Sequence, residues 1–137
     1  MKKILFTLIL LLFTVSFAFA TNVYNTHGQK TGSYKQHGST ITKYDKNGQK
    51  TGTLKQTSSG YNTYNSKGQK TGSYKTNGST TTQYDKNGQK VGTYKTNSNG
   101  TVTSYDKHGK KTGSYKKDSS GKVTQYDKNG KKIGSYK

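Results

Sequence analysis

The sequence predicts an all-β fold: an open, single-layer antiparallel meander or solenoid-like array of β-hairpin repeats, preceded by a helical signal peptide. Three observations carry this. One large residue recurs every ten or eleven positions, a glycine-containing turn signal separates each from the next, and the intervals are rich in Thr, Tyr and β-branched residues.

The chain opens with a leader. Lys2 and Lys3 form a positive start, Ile4 to Phe17 is an apolar stretch, and Ala18 and Ala20 supply the small residues that a signal peptidase accepts at −3 and −1. Cleavage is expected after Ala20, which divides the chain into a signal peptide (1–20) and a repeat region (21–137). The apolar run falls short of the ~20 residues needed to span a bilayer, and no later stretch is apolar enough to do so. The processed chain is therefore expected outside the cytoplasm, secreted, periplasmic or at the cell surface, with no transmembrane segment.

Six tandem units of 20 or 21 residues fill the repeat region. Their large residues are Tyr24, Tyr34, Tyr44, Leu54, Tyr64, Tyr74, Tyr84, Tyr94, Tyr105, Tyr115, Tyr126 and Tyr136. Two connectors alternate between them. The first, as in Asp85-Lys86-Asn87-Gly88, places an Asp able to bond the turn backbone and a Gly at positive φ. The second ends at Gly38, Gly60, Gly78, Gly100 or Gly121, and both single-residue insertions fall within it. An insertion inside a strand would flip every following side chain to the other face, so this placement supports the hairpins. A two-residue turn and a three-residue loop with a Gly bulge both fit the first connector.

Aliphatic residues are scarce. After position 20 the sizeable ones are Val23, Ile41, Leu54, Val91, Val102, Val123 and Ile133, too few for a conventional two-layer core. The expected adhesive is a ladder of rings, with a glycine two residues before each second large residue (positions 32, 52, 72, 92, 113 and 134) covered by a neighbouring tyrosine. Twelve strands at ~4.8 Å spacing give a sheet roughly 55 Å long with unpaired end strands, guarded by lysine. Low hydropathy with high charge is also the signature of a disordered chain, against which the regular phasing of tyrosines and turns argues.

The segments Gly100-Thr-Val-Thr-Ser-Tyr105-Asp106-Lys-His-Gly109 and Gly121-Lys-Val-Thr-Gln-Tyr126-Asp127-Lys-Asn-Gly130 resemble the YD repeat of Rhs-type surface and toxin-delivery proteins. The resemblance spans the repeat region and implies tandem hairpins. Where the YD pattern continues Gly-Arg-Leu, this chain has Gly48-Gln49-Lys50, so a large closed shell is not implied. Asp85 to Lys95 is also similar to variant MORN repeats, and the 20-residue period to cell-wall-binding repeats, although tryptophan is absent.

Chemistry at these positions points away from catalysis. Asp45, Asp85, Asp106 and Asp127 share one repeat position, which Asn25 and Asn65 fill with an amide; a turn tolerates that exchange, a general acid or base does not. His27 and His108 stand where Asn stands in sister turns, and His37 does so at the opposite strand end, so no metal or other cofactor is expected. Lysine dominates instead. Without the leader, 22 Lys against 5 Asp give +17, with no Arg and no Glu. Lys46, Lys50, Lys55, Lys86, Lys90, Lys95, Lys107, Lys111, Lys116, Lys128 and Lys132 recur in stripes suited to an anionic polymer: acidic polysaccharide, teichoic acid, lipopolysaccharide or, nonspecifically, DNA. The expected function is a non-catalytic binding protein. The alternative is a structural surface or matrix protein self-associating through its sheet edges.

Overall fold

The computed structural model describes residues 20–137; the expected signal peptide, apart from Ala20 but including Ala18, lies outside the described residues, and Ala20 opens the first strand. Twelve antiparallel strands follow: β1 (Ala20–Tyr24), β2 (Lys30–His37), β3 (Thr40–Asp45), β4 (Lys50–Thr57), β5 (Gly60–Asn65), β6 (Lys70–Asn77), β7 (Thr80–Asp85), β8 (Lys90–Thr96), β9 (Val102–Asp106), β10 (Lys111–Lys117), β11 (Val123–Asp127) and β12 (Lys132–Tyr136). Each pairs with its chain neighbours, as a hairpin array requires.

The sheet is not open. Strand β1 also pairs with β12, placing Val23 opposite Tyr136 and Tyr24 opposite Ser135, so the array closes into a barrel. Register explains the difference. Tyr34 faces Lys43, and Lys43 faces Gly52, which lies two residues short of Leu54, the repeat counterpart of Tyr34. Repeated over six units, that step gives a shear of about 12 residues for twelve strands, the tilt a closed barrel needs. Each unit also carries a β-bulge at one kind of hairpin: Tyr24 pairs with Lys30 and Val23 with Gly32, leaving Thr31 as the extra residue. Because the five other bulges sit at equivalent places, their bends accumulate in one direction. The closing junction repeats the same pairing, since Tyr136 faces Val23 as Tyr34 faces Lys43. The expected unpaired end strands are therefore paired with each other, and edge-to-edge self-association loses its physical basis.

Both connectors are resolved in detail. In the first kind the Gly48 amide donates to the Asp45 carbonyl (3.2 Å) and the Asp45 amide to the Gln49 carbonyl (2.9 Å), which is a three-residue loop with a glycine bulge, Gly48 having φ +81°. One Asp45 carboxylate oxygen accepts from the amides of Asn47 and Gln49 at 2.8 and 2.9 Å. Asn25 and Asn65 do the same with their amide oxygens. The second kind is a two-residue turn where the unit is short, with His37 paired to Thr40. Where it is one residue longer, Asn97 to Thr101 and Asp118 to Lys122 adopt the three-residue form of the first kind. The insertions thus change only loops.

The twelve large residues do not form one ladder. Pairing Tyr34 with Lys43 puts Tyr44 on the opposite face, so the set divides. Tyr34, Leu54, Tyr74, Tyr94, Tyr115 and Tyr136 point inward and are 1–7 % exposed, joined by Ile41, Val102 and Val123. Tyr24, Tyr44, Tyr64, Tyr84, Tyr105 and Tyr126 lie half-buried on the outer wall. Leu54, the one inner position without a ring, clusters with Tyr34 and Ile41, and Tyr61 from β5 packs against that cluster. Polar neighbours satisfy the inner hydroxyls: Tyr94 Oη donates to Gln83 Oε1 (3.1 Å), Gln125 Nε2 donates to Tyr115 Oη (3.1 Å), and Tyr136 Oη donates to Gln125 Oε1. Among the described residues no buried side-chain polar atom lacks a partner.

The glycines ahead of the inner residues serve a purpose other than receiving a ring. A Cβ on Gly32, Gly52, Gly72, Gly92 or Gly113 would stand 2.4–2.6 Å from the carbonyl oxygen of the outer tyrosine on the next strand. Backbone, not aromatic, occupies that space.

Closure makes one outcome testable at once. Asn22 and Lys137 exchange backbone hydrogen bonds of 2.7 and 3.0 Å, so the first and last strands of the barrel bring these two residues side by side. Joining residue 137 to residue 21 through a copy of Gln36 to Thr40, and opening the chain between Asn99 and Gly100, is expected to leave stability within about 1 kcal/mol. Urea denaturation checks it; loss of a cooperative transition would contradict the closing junction.

Candidate polyanion-binding surface

The outer wall is organised around the six outer tyrosines. Residues two apart share a face of a strand, so Ser33 and Lys35 of β2 point outward with Thr42 and Tyr44 of β3. Lys35 Nζ consequently sits 5.6 Å from the centroid of the Tyr44 ring. The same contact recurs for Lys55 and Tyr64 (5.4 Å), and for Lys75 and Tyr84, Lys95 and Tyr105, and Lys116 and Tyr126 (5.6 Å each). From the other side each outer tyrosine is paired with the first lysine of the next strand: Tyr44 with Lys50, Tyr64 with Lys70, Tyr84 with Lys90, Tyr105 with Lys111, and Tyr126 with Lys132. Five of the six outer tyrosines are thus bracketed by two lysines, one with its ammonium over the ring and one paired with the tyrosine through the backbone of the next strand. The cover is dense: Ser33, Thr103 and Ser135, on the same outer face, are no more than 9 % exposed.

These brackets lie on a circle around the barrel. Two strands at ~4.8 Å and two residues of stagger at ~3.3 Å separate neighbours by roughly 12 Å. What the sequence reads as stripes therefore closes into rings. Between Lys70, Lys75 and Tyr84 the wall opens into a depression of about 430 Å³, which Asn62, Ser73 and Asp85 also line.

The predicted lysines divide between two places. Lys55, Lys95 and Lys116 are wall residues over tyrosine rings. Lys50, Lys90, Lys111 and Lys132 start strands beside the first-type turns, and Lys46, Lys86, Lys107 and Lys128 stand in those turns. Sequence reasoning missed Lys30, Lys35, Lys70 and Lys75, which occupy the same repeat positions in the two units whose first connectors carry Asn25 and Asn65. Alignment of the six units would have found them. It also missed Lys43, which faces inward beside Tyr34, its Nζ 5.9 Å from that ring, where other units place Val, Thr, Gln or Ser.

The acids belong to the scaffold. The backbone N–H of Lys110 foremost, helped by that of His108, holds the Asp106 carboxyl below the usual carboxylate range against an opposing desolvation. The Ser120 hydroxyl, at 2.6 Å, is the foremost group doing the same for Asp118. His27 and His108 donate their backbone N–H groups to Asn25 and Asp106, filling the Asn position of the loop, and His37 lies at the far end of β2 from His27. None of the positive-φ positions among the described residues is a histidine; all are glycines.

An ammonium held over a tyrosine ring is partly ordered before any ligand arrives, so less side-chain entropy is lost when an anion binds. Paired with a second lysine about one strand away, it offers two charges and an aromatic edge to each anionic group of a polymer. No family model and no curated protein matches this chain, so its assignment rests on the wall and its charges.

Proposed function

We propose that this is a secreted, non-catalytic repeat protein that binds anionic polymers, acidic or phosphorylated glycans of the cell envelope foremost, along the outer wall of its barrel. The observation that carries the reading is the series of five regularly spaced outer tyrosines, each with a lysine ammonium over its ring and a second lysine paired beside it, which matches a ligand of repeating charge better than a single small molecule. A net charge of +17 on the processed chain supplies the long-range attraction. The use of the turn aspartates as backbone acceptors supports a non-catalytic role. The Tyr-Asp-x-x-Gly turns support kinship with YD-type hairpin repeats, and the leader supports export.

Binding of the processed chain to polygalacturonate at low salt tests this. Affinity is expected to fall steeply as salt rises. Replacing Lys55, Lys75, Lys95 and Lys116 by Gln should weaken it at least about tenfold and flatten the salt dependence by about one logarithmic unit per lost contact. An affinity indifferent to salt, or unchanged in that variant, would overturn the reading.

A further inference from the structure

The two ends of the barrel differ sharply in charge. The end built from first-type turns carries thirteen of the lysines, seven in the turns and six at the strand starts that follow, against four aspartates, a net of +9. The end built from second-type turns carries Lys117, Lys122 and Asp118, a net of +1. Strands of five to eight residues keep these ends apart.

The basic end has a second peculiarity. Val91 and Ile133, 43 and 44 % exposed, are the exposed large hydrophobic residues among those described. Both lie one residue into a strand from that end, at the bulge position where Thr31, Thr51, Thr71 and Thr112 stand in the other units. Thr71 and Thr112 use their hydroxyls to bond Thr63 and Ser104 on the inner face, each at 2.9 Å. The corresponding inner residues of the other two units, Gln83 and Gln125, bond tyrosine hydroxyls instead. The fold accepts a threonine at this position in four units, so the two apolar side chains at a lysine-crowded rim are not demanded by packing.

Lysines surrounding apolar side chains at one end, with a nearly neutral opposite end, suit a flat anionic surface that has an apolar layer beneath its charges. We infer that the basic end seats on an anionic lipid bilayer, with Lys46, Lys67, Lys86, Lys107 and Lys128 against the headgroups and Val91 and Ile133 entering the interfacial layer. The barrel sits on the bilayer and does not cross it: its outer wall carries lysine, serine and threonine, the reverse of a lipid-facing band. This rests on the polyanion reading for its charges but adds an orientation and an apolar contact that a soluble polymer does not require.

Co-sedimentation of the processed chain with mixed phosphatidylglycerol–phosphatidylcholine vesicles, with pure phosphatidylcholine vesicles as the comparison, tests it, with polygalacturonate binding measured in parallel. Binding is expected to the mixed vesicles alone. The double variant Val91→Thr/Ile133→Thr, which restores the residue the repeat itself uses, should lower vesicle affinity about tenfold and leave polygalacturonate affinity unchanged. The wall variant Lys55→Gln/Lys75→Gln/Lys95→Gln/Lys116→Gln should retain most of its vesicle binding. Vesicle affinity unaltered by the threonine pair, or polymer binding without vesicle binding, overturns this inference and leaves the proposed function standing. Failure to bind either probe at low salt removes both.

Discussion

Raising the pH above 10 is expected to unfold the barrel cooperatively. Burial pushes the hydroxyls of Tyr74, Tyr94, Tyr115 and Tyr136 well above their ordinary value near 10, with neighbouring inner hydroxyls adding to the effect for Tyr74, Tyr115 and Tyr136. The folded chain keeps these four protons while the unfolded chain releases them near pH 10. Stability from this source is thus complete below pH 10 and is lost as pH rises beyond it. Each group costs about 1.4 kcal/mol per pH unit, so four cost about 5–6 kcal/mol per unit, comparable with the whole stability of a small domain. Far-ultraviolet circular dichroism should lose the β signal in one cooperative step between about pH 10 and 12, and the part of the tyrosinate absorbance that belongs to the inner rings should appear with it. Tyrosinate absorbance reaching its full amplitude while the β signal stays intact would show that the inner rings are not sealed.

Gly72→Ala should be nearly as damaging. The added Cβ would stand 2.4 Å from the carbonyl oxygen of Tyr84, and 3.5 Å from Asp85 Cα and from Thr63 Oγ1. The clash is with backbone, so β6 and β7 must part where Gly72 pairs with Asp85. A loss of about 2–4 kcal/mol is expected, read as a lower urea midpoint at unchanged slope. Gly134→Ala is the control. There the nearest atom, the Tyr24 carbonyl oxygen, is 3.2 Å away, and the cost should stay within about 1 kcal/mol. Equal losses at the two sites would mean that strand-wide glycine effects, and not the close carbonyl, decide the result.

Local chemistry was legible in the residues, and global curvature was not. The Tyr-Asp-x-x-Gly turns, the harmless insertions in the second connector and the strand lengths all follow from interactions a few residues apart. Closure depends on a two-residue stagger and on a bulge at Thr31 and its counterparts, and a threonine flanked by lysine and glycine carries no unique sign of a bulge. The same parity decides which tyrosines face inward. A period of ten suggests one uniform ladder, whereas the two-residue turn between Tyr34 and Tyr44, and the three-residue loop with its bulge between Tyr44 and Leu54, send alternate members to opposite faces. The lysine surface was foreseen as a chemical type, and seven of its wall and strand-start members were named, but their arrangement in circles and their crowding at one end follow only from closure.

The shared pairing of Tyr136 with Val23 has a consequence for how the protein comes into being. Linear repeat arrays can gain stability with each added unit and fray from their tips. Here the last unit completes a circuit, and any shorter product of synthesis or cleavage leaves two bare ribbons of amides and carbonyls in water. Quality control is in that sense written into the topology: five units are not five-sixths of the barrel, and only the closed circuit hides its backbone.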